Sequence, residues 1–111
     1  MQRKSPQEMQ YLVNPRPDLG SDADLWARLL LKAYPLDGHD PSGLFWALHG
    51  LRCCGARLRV GATSLILERG EIAEDEYARL RGQYLVPHAG VLKRLLAEVA
   101  SALACELGKT A

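Results

Sequence analysis

The chain has 111 residues and a formal net charge of +1, from 14 Lys and Arg against 13 Asp and Glu. That length suits one small domain and leaves no room for a second, and a near-neutral balance gives no bulk electrostatic drive toward nucleic acid or an anionic membrane. Apolar residues make up 48%, too many for a wholly disordered chain, and no apolar run approaches the ~18 residues of a membrane span. Leu occurs 20 times and Ala 14 times against two Ile, which favours helix over a large sheet. The three cysteines include the vicinal pair Cys53 and Cys54, so they are no disulfide framework. Reduced thiols, with no signal-like apolar segment near Met1, read as cytoplasmic.

Residues 1–20 carry Pro6, Pro15 and Pro17 and few apolar side chains. They read as a flexible leader, with Tyr11, Leu12 and Val13 as the part able to dock as a short arm. Ser21-Asp22-Ala23-Asp24 places an N-cap hydroxyl before first-turn carboxylates. Asp at the third helical position makes an approximate capping box. Leu25, Trp26, Leu29, Leu30, Ala33 and Tyr34 then form one wide apolar face, with Arg28 and Lys32 on the other side. Pro35 should end this helix near Tyr34.

Asp37-Gly38 reads as a turn, and Asp40 with Pro41 as the cap and first position of a second helix. That helix shows Leu44, Phe45, Leu48 and Leu51 on one face and ends at Gly55, a suitable left-handed residue. From Ala56 the period becomes two. Ala56–Val60 and Ser64–Glu68 are strands joined by a turn at Gly61-Ala62-Thr63, with Leu58, Leu65 and Leu67 facing the core. A third helix over 72–85 carries Ala73, Tyr77, Leu80 and Tyr84 on one face, with acids in its first turn. Pro87 breaks it or opens the next. Val91, Leu92, Leu95, Leu96, Val99 and Leu103 then make the cleanest amphipathic stripe of the chain, and Gly108 marks its end.

The elements give helix–helix–β-hairpin–helix–helix. This is a mostly helical α+β fold with a two-stranded antiparallel sheet, one domain over residues 21–108. A two-stranded hairpin is marginal alone, so it must lie on helices or pair with another copy.

Few residues point to chemistry. His49 and Cys53 lie one helical turn apart and are a soft-metal pair by type. A structural zinc needs four ligands, and His39, His88 and Cys105 offer no second spaced pair. The simpler reading is two small buried thiols beside a surface histidine, with no metal site. Neither Cys53 nor Cys54 is expected to be a nucleophile, because both face the negative end of a helix. Asp37, His39 and Asp40 lack the spaced oxygens of a calcium loop and read as a turn and cap. The chain holds no GxxxxGK[ST], GxGxxG or GxSxG motif, so neither catalysis nor a cofactor is expected.

The hairpin is the more informative place. With Leu58 inward, Arg57 and Arg59 project from the opposite face, Ile66 lies with them near Glu68, and Arg69 follows. Guanidinium groups around an apolar spot suit an acidic peptide or phosphate oxygens. Trp46 falls off the Leu44-Leu48-Leu51 line, so an exposed indole there marks an interface.

Over residues 43–99 the chain resembles the small N-terminal docking domains of tubulysin-type hybrid peptide/polyketide synthetases. The residues that carry the likeness are Leu48, Leu51, Gly55, Arg57, Leu58, Leu65, Leu67, Leu80, Leu92, Leu95 and Leu96. They follow a helix, basic hairpin and Leu-rich helical order. The resemblance implies that the exposed hairpin receives a short acidic peptide through Arg57 and Arg59, and that the helices form a homodimer. This sequence departs from the pattern by an additional helix ahead of the match and by a longer connection through Pro87. The expectation is a non-catalytic protein-interaction module, homodimeric, binding an acidic segment of another protein through Arg57, Arg59, Ile66, Arg69 and Trp46. A nucleic-acid-binding accessory protein of a mobile element is the alternative.

Overall fold

Ser21 caps the first helix, α1 (Asp22–Asp37), as its side chain suggests: the Asp24 amide donates to Ser21 Oγ at 3.1 Å. The Asp24 carboxylate reaches one residue beyond the cap and accepts from the Gly20 amide at 3.0 Å, so the box is indeed approximate. The computed structural model describes residues 19–37 and 43–110. The leader arm, the Gly38 turn and the His39–Asp40 pair lie outside the described residues.

Helix α1 is the centre of the fold. Leu25, Trp26, Leu29, Leu30 and Ala33 are fully buried, each large side chain contributing roughly 1.5–3 kcal/mol by leaving water. Pro35 does not end the helix, which runs on to Asp37. Proline's φ is already helical, and so close to the C-terminus it removes a single hydrogen bond. Tyr34 is about half exposed and stands edge-on to Phe45 at 5.0 Å.

Helix α2 (Leu44–Cys54) starts after Gly43, later than a cap at Asp40 with Pro41 would place it. Gly43 has an extended backbone, φ −84° and ψ 175°, and serves as the N-cap, so the helix begins at Leu44. It ends as its sequence requires, with Gly55 at φ 117° and its amide donating to the Arg52 and Leu51 carbonyls. Strands β1 (Arg57–Val60) and β2 (Leu65–Glu68) form a two-stranded antiparallel sheet. The register pairs Arg57 with Glu68, Leu58 with Leu67, Arg59 with Ile66 and Val60 with Leu65. Leu58 and Leu65 therefore point to the core, and Arg57, Arg59 and Ile66 share the outer face. Gly70 has φ 56°, and a Cβ there would overlap the Gly55 carbonyl oxygen, so only glycine lets the chain leave β2 past the end of α2.

Helix α3 (Glu74–Leu80) is shorter than the 72–85 span suggests. A π-turn over Arg81–Leu85 and a 3₁₀ turn over Val86–His88 follow. The wide turn closes with the Val86 amide donating to the Arg81 carbonyl. The extra residue swings Leu85 to the core, where it is buried, and leaves Tyr84 exposed. Pro87, without an amide, sits where the 3₁₀ turn begins. Helix α4 (Ala89–Thr110) buries Leu92, Leu95, Val99 and Leu103 against α1 and β2. It continues through Gly108 instead of ending there. Among the described residues, no helix is long and apolar enough to cross a membrane.

The polar side of α1 is not solvent-facing as its pattern suggests. Asp24 is fully buried and Arg28 nearly so. Arg28 donates from Nε to Asp24 at 2.8 Å and through both Nη atoms to the two Glu106 oxygens at 2.8 Å. This bidentate bridge fixes α4 on α1. The Glu106 bond, with Asp24 adding to it against the cost of burial, raises the Arg28 pKa further.

Candidate functional site

The two edges of the sheet differ. On β1 the Leu58 amide points away from β2 and donates to Asp22 Oδ1 at 2.8 Å, while Asp22 Oδ2 lies 3.5 Å from Arg57 Nε. The first turn of α1 thus closes the β1 edge. That direction fixes the ladder: Arg57 with Glu68 and Arg59 with Ile66 face each other through hydrogen bonds, and Leu65 and Leu67 turn their amides and carbonyls outward from β2. The Gly61 amide, donating to the Ser64 carbonyl at 2.9 Å, continues the same alternation.

Outside β2 lies a groove of about 500 Å³. Residues 64–67 form one wall, and Tyr77, Leu85, Leu92 and Leu96 supply an apolar lining. Arg81 and Lys93 also line it. Arg81 stands 5.9 Å over the Tyr77 ring. Tyr77 Oη is 3.5 Å from the Leu67 carbonyl oxygen, the outer limit of a hydrogen bond. Burial raises the pKa of this phenol, Arg81 opposing and Glu68 adding, so it is neutral across the physiological range.

The arginines of the outer hairpin face are engaged within the molecule. Arg59 Nε donates to Glu68 at 2.6 Å, Arg57 pairs with Asp22, and Arg69 Nη1 donates to the Ile72 carbonyl at 2.8 Å. Elsewhere, Lys32 and Arg94 both reach Glu98, and Arg79 holds Glu76. Among the described residues no carboxylate pairs with Arg81 or Lys93.

Of the residues expected to bind a partner, the hairpin brings Arg57, Arg59 and Ile66 onto one face, with Arg69 just beyond β2. Ile66 is half-buried and also borders the groove. Trp46 is exposed on α2, with Phe45 edge-on at 5.0 Å and His49 at 6.1 Å. It belongs to an aromatic cluster with Tyr34, on a different element from the hairpin. Sequence reasoning misses Arg81 and Lys93, because neither strand pattern nor helix period reveals that the π-turn and α4 flank β2. The one local signal was Pro87, which marks the irregular connection.

The thiols correct an expectation. Cys53, Cys54 and Cys105 are all exposed, where two small buried thiols were the simpler reading. The buried face of α2 is filled by Leu44, Phe45, Ala47, Leu48 and Leu51, which turns Cys53 outward. Cys53 Sγ lies 3.7 Å from His49 Nδ1. Among the described residues no three His, Cys, Asp or Glu side chains of the chain converge on one point as metal ligands. No protein-family model, curated protein or solved structure matches the chain.

Proposed function

We propose that the chain is a non-catalytic docking module, homodimeric, that receives an extended acidic segment of another protein along the outer edge of β2. The observation that carries this reading is the outer edge of β2, where the Leu65 and Leu67 amides have no partner among the described residues and their carbonyls meet only the Ser64 and Tyr77 hydroxyls, beside a groove flanked by two cations, Arg81 and Lys93, with no carboxylate of their own among the described residues. An extended segment would accept from the Leu65 and Leu67 amides and donate to their carbonyls in place of the Ser64 and Tyr77 hydroxyls, as partners do when they add a strand to a sheet. Alternate side chains would then meet Leu85, Leu92 and Leu96, and acidic ones Arg81 and Lys93. Arg57 and Arg59 lie on the neighbouring outer face and add positive potential while holding their own partners.

The test uses a fluorescein-labelled peptide alternating Glu with Val, and its counterpart with Lys in place of Glu. Anisotropy should rise with the acidic peptide alone and fall with added salt. Amide shifts in a nitrogen–proton NMR spectrum should centre on Leu65 and Leu67. The double substitution Arg81→Glu and Lys93→Glu should weaken acidic-peptide binding at least tenfold, while Arg57→Ala with Arg59→Ala changes it by about twofold or less. Equal binding of both peptides, or a larger loss from the hairpin pair, would refute the placement.

A further inference from the structure

The groove beside β2 is graded from apolar to cationic. Leu85 and Leu92 are buried along its wall, Leu96 is half-buried, and Arg81 and Lys93 are exposed. Val86 lines it too and is 62% exposed, so apolar surface is left at the opening. Among the described residues no carboxylate pairs with either cation. The π-turn makes this combination: Arg81 is its first residue, Leu85 its last, and both line the groove. Wide turns of this kind are rare and recur at functional sites.

The dimensions say what fits. A volume of about 500 Å³ falls within the roughly 300–1,000 Å³ of small-molecule sites. The α4 wall from Ala89 to Leu96 covers about 10 Å at 1.5 Å per residue. The β2 wall from Ser64 to Leu67 covers about 10 Å at 3.4 Å per residue. With C–C bonds near 1.52 Å, an extended aliphatic chain advances about 1.25 Å per carbon, so about eight to ten carbons match these walls. A guanidinium and an ammonium at the rim of an apolar channel suit one carboxylate with a hydrocarbon tail. Tyr77 adds a neutral hydroxyl, which meets the Leu67 carbonyl only at the 3.5 Å limit and is free to donate to an incoming oxygen instead.

We propose that the groove binds a medium-chain aliphatic carboxylate of about eight to ten carbons, its carboxylate held by Arg81 and Lys93 and its chain laid along Leu85, Leu92 and Leu96. This goes beyond the docking of an acidic segment and does not depend on it, because the aliphatic chain uses the wall and rim of the groove and none of the β2 amides. The bound chain occupies the lining that the side chains of a docked segment would meet, so each ligand displaces the other.

The full chain is titrated in a calorimeter with hexanoate, octanoate, decanoate and dodecanoate below their micellar concentrations, and with decanol as the uncharged counterpart. Binding should saturate at one molecule per chain. Affinity should rise about threefold per methylene up to about ten carbons and then level off, as burial of the chain becomes complete. Decanol should bind at least tenfold more weakly than decanoate. Arg81→Gln with Lys93→Gln should bring decanoate down to the level of decanol with an unchanged far-ultraviolet dichroism spectrum, whereas Arg57→Ala with Arg59→Ala should leave decanoate within about twofold. Methyl shifts in a carbon–proton NMR spectrum should centre on Leu85, Leu92 and Leu96. Equal affinity for decanoate and decanol overturns the inference, as do several molecules bound per chain, no dependence on chain length, or binding that survives the loss of both cations. Decanoate binding by a chain that ignores the acidic peptide sustains the inference and removes the docking role. Peptide binding without decanoate binding does the reverse, and peptide binding undisturbed by saturating decanoate overturns the shared groove.

Discussion

Arg28→Ala should be the most damaging substitution on the polar side of α1. Arg28 is 10% exposed and Asp24 wholly buried, whereas the Glu106 side chain is 46% exposed. Asp24 Oδ2 accepts from Arg28 Nε and from the Gly20 amide, and Oδ1 has no partner. Removing Arg28 leaves a buried carboxylate with a single backbone donor, a situation that costs about 3–5 kcal/mol. Glu106→Gln removes one carboxylate from the outer side of the guanidinium, where water takes its place, and should cost about 1 kcal/mol or less. A domain of this size has roughly 5–10 kcal/mol in all, so the first loss approaches unfolding and the second barely registers. Urea unfolding followed by far-ultraviolet dichroism gives both values. Replacing the two inner charges together, Asp24→Asn with Arg28→Met, should recover more than half of the Arg28→Ala loss, because no charge is then left buried. The reasoning fails if Arg28→Ala costs no more than Glu106→Gln, or if the double variant is the weakest of the three.

Three other substitutions test the hairpin. Gly70→Ala forces a left-handed φ on alanine and pushes its Cβ into the Gly55 carbonyl, so thermal unfolding should show a loss of about 2–4 kcal/mol. Asp22→Ala frees the Leu58 amide at the β1 edge. It should cost about 1 kcal/mol, with faster hydrogen exchange at Leu58 than at Arg59. Tyr77 has a raised folded-state pKa; the native chain therefore holds its proton longer than the unfolded chain. That contribution is full below the unfolded value of about 10 and is lost as pH rises through the folded value. Stability should fall as pH rises from about 10 toward the folded value and level off beyond it, and Tyr77→Phe should flatten the slope.

Local patterns carry the fold a long way. The apolar face of α1, the Gly55 terminus and the alternation of Leu58 with Arg57 and Arg59 all depend on neighbours within a few residues, and each is readable from spacing. Two kinds of feature escape that reading. The first is charge burial: Asp24 and Arg28 form an ordinary i,i+4 pair in sequence, and only Glu106, 78 residues away from Arg28, turns that side of α1 into an interior. The second is register. The stretch 72–85 has helical spacing throughout, yet the π-turn at Arg81 exchanges Tyr84 for Leu85 in the core. The same irregular turn carries Arg81 to the groove, so the candidate site is built from the segment whose period misleads.

The near-zero net charge takes on a different meaning once the partners are known. Equal numbers of acids and bases exclude binding driven by bulk charge, but specificity depends on which charges are already satisfied. The hairpin arginines, which the sequence singles out, are held by Asp22, Glu68 and the Ile72 carbonyl. An incoming carboxylate would have to displace an existing partner, and an exchange of one exposed ion pair for another contributes little. Arg81 and Lys93 have no such carboxylate to displace among the described residues, and they stand beside backbone groups of β2 that face the same groove. One edge of the sheet is closed by Asp22, whereas at the other, next to these two cations, the Leu65 and Leu67 amides have no partner among the described residues and only the Ser64 and Tyr77 hydroxyls reach the carbonyls. The proposed docking therefore rests on β2, and the hairpin arginines hold the strands together through their own partners.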